Sequence, residues 1–261
     1  MRTIFLKLGG SFITYKDKPI TVNYNALTST IDILKQVIDS DIKIIIGNGG
    51  GSFAHFTVMR YFSEKKRSLI VKCHQSTRLL NRIIVDYIVN NGIPATSVQT
   101  SAIISYYDQL KLFKVFYEPI VMLIENGVIP VVYGECLPTR EEPIVISTEK
   151  VFELLAQWIK PDRIILLTDV KGVYTCDPRK CTNPTLIQKI TPDNLDEVLR
   201  LIRDQEKTDV TGGIYGKVLS MSKLSADLKT EIFIMSGFDT FAVIEAIKGG
   251  YPGNATLVTY K

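Results

Sequence analysis

Ile42-Lys43-Ile44-Ile45-Ile46 runs directly into Gly47-Asn48-Gly49-Gly50-Gly51-Ser52. Four of the first five residues are isoleucine, a near-continuous apolar run of the kind seen in a parallel strand covered by helices on each side. The glycine run then falls at the carboxyl end of that strand, where open α/β sheets bind ligands. The same arrangement stands earlier in the chain: Thr3 to Leu8 reads as a strand that ends at Gly9-Gly10-Ser11, with Lys7 inside it. Glycines allow positive φ and bring backbone N–H groups close to an anion with no Cβ in the way. A helix that follows adds its N-terminal partial charge. One such turn is also an ordinary tight connection. Two, with Asp209-Val210-Thr211-Gly212-Gly213 ahead of a third helical segment, point to phosphate binding. Neither turn is a GxxxxGK[ST] loop, and neither fits the dinucleotide register GxGxxG.

Outward from these turns the chain alternates short β-branched runs with helix-period segments. Residues 24 to 39 place Leu27, Ile31, Leu34, Val37 and Ile38 on one helical face. Helical spacing recurs over 76 to 91, 117 to 126, 149 to 158, 193 to 204, 216 to 227 and 239 to 248. Strands are expected at 95 to 98, 128 to 133, 163 to 167, 231 to 235 and 256 to 259. This alternation predicts a mainly parallel sheet with helices on both faces. Residues 134 to 146 and 174 to 190 are polar, contain proline and are less regular; the first reads as a hairpin at the junction of two lobes.

The chain of 261 residues is 46% hydrophobic and 22% charged, with a net charge of +4, an ordinary globular composition. No basic run suggests nucleic acid. No apolar run approaches the roughly 20 residues of a membrane span, and the N-terminus lacks the apolar core of a signal peptide. A soluble cytoplasmic protein is expected. The cysteines, Cys73, Cys136, Cys176 and Cys181, form no CxxC pair and are read as free thiols.

Four motifs in order, KLGGS, GNGGGSF, TDVKGVYTCDP at 168 to 178 and DVTGG at 209 to 213, resemble the amino acid kinase family over essentially the full chain. The resemblance implies an open αβα sandwich around about eight strands. It also implies an N-terminal lobe (1–146) for the phosphoryl acceptor and a C-terminal lobe (147–261) for ATP, sharing one sheet. Within that family, GGGSFAH with His55 is similar to the isopentenyl phosphate kinases of archaea, as are Lys16, the segment His74 to Val85, Tyr133-Gly134 and Lys217. The resemblance implies transfer of the ATP γ-phosphoryl group to isopentenyl phosphate, Mg²⁺ bridging the phosphates, and a homodimer. Another kinase of the fold, acting on a carboxylate, a phosphonate or UMP, fits the same glycine turns. So does a non-catalytic nucleotide-binding protein, although Lys7 and Lys217 speak against it.

The resemblance assigns roles that suit the residue types. An acceptor that is already a phosphate needs its charge neutralised and an oxygen held in line with the γ-phosphorus, not a strong base. His55, with Gly50, Gly51, Ser52 and Thr148, would hold the acceptor. Lys7, Lys16 and Lys217 would surround the transferred group as compact point charges. Gly9, Gly10, Ser11, Asp169 and Gly212 would bind ATP. Blander readings stand beside these: a lone His caps a helix, Lys16 is a solvated lysine, His74 packs, and the face of Ile83, Ile84, Tyr87 and Ile88 is either a prenyl pocket or plain core. The family usually carries Tyr-Gly-Asp where this chain has Tyr133-Gly134-Glu135. It usually has Ser-Gly-Asp where this chain has Ser147-Thr148-Glu149. Glu149 is therefore expected to orient the lysines in place of Asp, and Thr148 to be strained if its backbone must take positive φ.

Overall fold

The computed structural model describes residues 2–38, 40–61, 66–203 and 213–261. In chain order the elements are β1 (Arg2–Leu8), α1 (Gly10–Ile13), α2 (Tyr24–Lys35), β2 (Ile42–Asn48), α3 (Gly51–Tyr61), α4 (Lys66–Asn90), β3 (Ala95–Ser97) and α5 (Thr100–Ile103). Next come β4 (Ile104–Tyr107), β5 (Leu112–Val115), α6 (Glu118–Glu125), β6 (Ile129–Tyr133), β7 (Glu135–Leu137), β8 (Ile144–Ile146) and α7 (Thr148–Ile159). The chain closes with β9 (Arg163–Thr168), β10 (Lys189–Ile190), α8 (Leu195–Arg203), α9 (Gly213–Leu228), β11 (Glu231–Ser236), α10 (Thr240–Lys248) and β12 (Thr256–Val258).

Among the described residues eight strands form one sheet in the order β10-β12-β11-β9-β1-β2-β6-β3. Every pairing is parallel except β11 with β12. The expected αβα sandwich is therefore present. Residues 134 to 146 form the expected hairpin, β7 with β8. The β4–β5 hairpin and the antiparallel direction of β12 were not expected. Among the described residues no helix is long and apolar enough to cross a membrane.

Alternation along β1 assigns the faces. Ile4, Leu6 and Leu8 enter a core with α2, α4 and α10, while Phe5 enters a second core with α7, α8 and α9. A strand repeats its side-chain direction every two residues. Lys7 therefore lies on the Phe5 side, at the carboxyl end, under α7 and α9. Ile84 and Ile88 are buried in the first core, with Ile83 and Tyr87 packed against it. That face of α4 is plain core.

The cysteines depart from expectation: none of the four is free. Cys73 on α4 is bonded to Cys136 on β7, Cα atoms 6.0 Å apart, and Cys176 to Cys181, 6.2 Å apart. The first pair meets because α4 lies across β7. The second meets because the Asp177 carbonyl accepts from Lys180 N and Cys181 N, turning the chain back on itself.

Two glycine turns touch backbone to backbone. A Cβ on Gly10 would stand 2.6 Å from the Gly51 backbone, and one on Gly49 would stand 2.7 Å from Gly10 N. Gly10→Ala and Gly49→Ala should therefore each cost about 1–3 kcal/mol through overpacking against backbone that cannot yield. Gly216→Ala, in α9 with nothing within 4 Å of the new methyl, should stabilise by about 0.5–1 kcal/mol. Chemical denaturation of the three variants checks this; equal midpoints for Gly10→Ala and wild type would refute the contact.

Candidate active site

The site forms where β1, β2 and β9 end side by side. Gly9 N donates to Leu167 O at 2.9 Å, tying the first glycine turn to the end of β9. Gly49 N donates to Leu8 O at 2.8 Å, tying the second turn to the end of β1. Thr14, just past α1, locks the two together: its hydroxyl donates to Gly10 O at 2.7 Å and accepts from Ser52 N at 2.9 Å. Gly51 has φ +47°, and a Cβ there would fall 2.2 Å from the Thr14 hydroxyl. Only glycine fits both demands.

Beneath the turns, α7 presses its N-terminus onto the sheet. It can do so because Gly47 has no side chain; a Cβ there would stand 2.6 Å from Thr148 Cγ2 and 2.7 Å from the Phe152 ring. Ser147 caps the helix by accepting from Lys150 N, as serine commonly does. The cap residue is extended (φ −77°, ψ 161°), so Thr148 enters as the first helical residue, without the positive φ feared for it. Its hydroxyl donates to Asn48 O at 2.7 Å and accepts from Gly134 N at 3.0 Å.

The next residue, Glu149, accepts from Lys7 Nζ at 2.6 Å in a pair that is largely buried. A buried ion pair is strongly destabilised when one partner is removed, since the other charge is left alone. Lys217, near the start of α9, completes the cluster. Burial pushes the Glu149 carboxyl up, but attraction to Lys7 and Lys217, with the Lys7 hydrogen bond, outweighs it and holds the pKa down to about 2. Lys217 moves the other way. Burial first, then repulsion from Lys7 and Lys16, bring its pKa down to about 8, against the attraction of Glu149 and Asp169.

The structure thus brings together Lys7, Glu149 and Lys217, with Lys16 and Asp169 within electrostatic reach. Lys16 is exposed on the loop after Thr14. Asp169 follows the end of β9 and is ion-paired with Arg179. Gly9, Gly10 and Ser11 stand at the end of β1, and Gly50 and Gly51 face them from the end of β2. Ser52 stands behind that turn, buried, its hydroxyl accepting from Thr21 N at 3.3 Å. His55 projects from the exposed side of α3, one turn after Gly51, its ring edge-on to Phe56. It has no hydrogen-bond partner among the described residues. Gly212 lies outside the described residues, as does most of DVTGG. His74 is not at this cluster: its ring contacts Cys136 O at 2.7 Å and Arg78 Nη2 at 2.8 Å, beside Glu135. Thr14, Asn48 and Asn81, whose amide holds Asn48 Oδ1 at 2.8 Å, were not expected from sequence. Their partners lie far along the chain, and no local signal marks them.

The sequence profile of the amino acid kinase family matches residues 2–236. An isopentenyl phosphate kinase of Methanothermobacter thermautotrophicus is 31% identical over 236 residues, covering 85% of this chain and 86% of the relative. One of Thermoplasma acidophilum is 29% identical over 240 residues, covering 90% and 91%. A crystal structure of an isopentenyl phosphate kinase substrate complex superposes with a TM-score of 0.78 at 25% identity, covering 98% of this chain and all of that one.

Lys217 carries its charge below about pH 8 and loses it above. A phosphoryl-transfer rate that uses this charge should have a kcat/KM that falls as pH rises through about 8, because that ratio reports the free enzyme. Glu149→Gln removes an attraction that keeps the proton on Lys217, so the alkaline limb should move to lower pH as well as the rate falling. A limb in Glu149→Gln superimposable on wild type would detach Lys217 from the reaction.

Proposed function

Because this chain belongs to the amino acid kinase family, together with the isopentenyl phosphate kinases, we propose that it transfers the γ-phosphoryl group of ATP to isopentenyl phosphate, giving isopentenyl diphosphate. The observation that carries this is the pair of glycine turns in backbone contact above a buried Lys7–Glu149–Lys217 cluster. Two phosphate cradles that share a wall hold donor and acceptor close enough for in-line transfer.

The roles follow an acceptor half (1–146) and a nucleotide half (147–261), except at their shared edge, where the Gly9–Ser11 turn serves the nucleotide and Thr148 serves the acceptor. Amides of Gly10 and Ser11 support the β- and γ-phosphates, while Gly9 anchors their turn by giving its own amide to Leu167 O; Asp169 and Gly212 stand on the nucleotide side. Gly50 and Gly51 amides, the N-terminal amide of Thr148 and the His55 imidazole hold the acceptor phosphate, with Ser52 supporting the turn from behind. Lys7, Lys16 and Lys217 neutralise charge that spreads over the transferred group. Glu149 fixes Lys7 and keeps Lys217 protonated. Attack comes from an oxygen of the acceptor phosphate, which is already an anion, so no side chain has to remove a proton.

Among the described residues no three His, Cys, Asp or Glu side chains gather into a metal-ligand set. Mg²⁺ would arrive on the nucleotide, held by phosphate oxygens and water, a common mode for this ion. When bound it would neutralise part of the phosphate charge. A homodimer is proposed from the apolar surface that α4 leaves exposed at Val71, Leu79 and Val89. A cytoplasmic setting is proposed from the supply of ATP.

ADP release should be measured with ATP against isopentenyl phosphate, dimethylallyl phosphate, UMP, carbamate and N-acetylglutamate. Turnover is expected with the prenyl monophosphates; strong preference for a carboxylate or UMP would sink the assignment. His55→Ala should lower turnover of isopentenyl phosphate by roughly two orders of magnitude or more, a loss comparable to removing one oxyanion donor. Its KM for ATP should stay near the wild-type value. Unchanged turnover removes His55 from the acceptor site.

A further inference from the structure

Arg179 stands just past the family motif, and the site as described gives it no task. Its guanidinium is ion-paired with Asp169. Asp169 follows Thr168, the last residue of β9, two positions after the Leu167 carbonyl that accepts from Gly9 N. Arg179 is therefore anchored within a few residues of the turn assigned to the ATP phosphates.

The segment that presents it is held at several points. Tyr174 and Leu186 form a β-bridge, and Thr175 N donates to Thr185 O at 2.9 Å. At the tip, Asp177 organises a turn: its carbonyl accepts from Lys180 N and Cys181 N, and its carboxylate accepts from Arg179 N at 3.0 Å. Cys176 bonded to Cys181 closes the turn. The backbone of Arg179 is thus fixed, while its side chain is 53% exposed and only its charge is engaged. An exposed ion pair of this kind contributes little by itself, so Arg179 can leave Asp169 at small cost.

We propose that Arg179 is a nucleotide-phosphate ligand, held on Asp169 until ATP arrives and then transferred to the ATP polyphosphate. The inference rests on the nucleotide assignment above and adds to it. A triphosphate attracts a guanidinium more strongly than one carboxylate does, and guanidinium and phosphate match as bidentate partners. The exchange leaves the Asp169 carboxylate free to act on Lys217, whose charge it favours. Binding ATP would then also help hold Lys217 in its charged form. No bond is made or broken in the step; one ion pair replaces another.

The test is binding of ATP, ADP and AMP in the absence of acceptor, by calorimetry, for wild type, Arg179→Ala and Arg179→Lys. Arg179→Ala should weaken ATP and ADP by roughly tenfold to a hundredfold, the scale of a hydrogen bond to a charged group, and leave AMP near the wild-type value. Arg179→Lys should recover part of the loss. In turnover, KM for ATP should rise in Arg179→Ala while KM for isopentenyl phosphate holds. Equal weakening of all three nucleotides would mean a merely structural role, and no weakening of any would mean a surface ion pair; either overturns the proposal. Both outcomes are read on binding without acceptor, so they leave the acceptor assignment standing. Conversely, failure of wild type to turn over any prenyl monophosphate would not by itself remove Arg179 from the nucleotide site. Thermal unfolding of both variants, expected close to wild type for a residue this exposed, excludes misfolding as the cause.

Discussion

Everything at the carboxyl edge of this sheet depends on two backbones lying against each other without side chains between them. β1 and β2 pair in parallel from Arg2–Ile42 to Leu8–Asn48, so their ends arrive at the same height. Parallel strands sit about 4.8 Å apart. Two turns leaving adjacent strand ends can share that space only if neither carries a Cβ at the crossing. Gly10, Gly49 and Gly51 meet the condition, and Thr14 then fixes the arrangement through two hydrogen bonds. The consequence is chemical. Two glycine turns from different strand ends meet backbone to backbone, which suits two anionic groups that must react with each other.

Such a volume would repel two phosphates unless cations were close, and the cations in turn repel one another. Burial, Lys7 and Lys16 together lower the proton affinity of Lys217. Glu149 is the counterweight. Paired with Lys7 and attracted to Lys217, it stays ionised at any ordinary pH and offsets part of the repulsion between the two lysines. The cluster is therefore positive enough to attract phosphate and not so positive that Lys217 sheds its proton before substrate arrives. Removing Glu149 upsets that balance in a way that removing a surface carboxylate would not, because burial makes every charge here count for more.

Much of the fold is legible from the chain because the central strands are buried on both faces. Ile42 to Ile46 and Arg163 to Leu167 are near-continuous apolar runs, and the helices between them keep a clear apolar stripe. The β4–β5 hairpin lacks such a signal: Tyr107, Leu110 and Leu112 are exposed apolar residues that no simple alternation explains. The direction of β12 is equally silent, since a short strand reads the same whether it runs up or down the sheet. In the site, residues within a local pattern are readable: Lys7 ahead of a glycine pair, the glycine run, His55 after it. The contacts that join them are not. Thr14 to Ser52, Asn81 to Asn48 and Cys73 to Cys136 each span long stretches of chain, and nothing in the neighbouring sequence announces them.

The N-terminus of α7 shows what this site requires and what it tolerates. Thr148 and Glu149 stand where a glycine and an aspartate are usual in the family, and a threonine would be strained there if its backbone took positive φ. The strain does not arise, because Ser147 takes the extended cap conformation and Thr148 begins the helix with ordinary helical angles. Its hydroxyl even adds a function, joining Asn48 O of the second glycine turn to Gly134 N at the end of β6. The longer acid still meets Lys7 at 2.6 Å. What sets that distance is the approach of α7 to the sheet, and Gly47 sets the approach, since any side chain there would collide with Thr148 and Phe152. The demand on residue 149 is thus a carboxylate in the first turn of a helix pressed against the end of β1. The demand on residue 47 is stricter, because no larger residue leaves the helix where the lysine needs it.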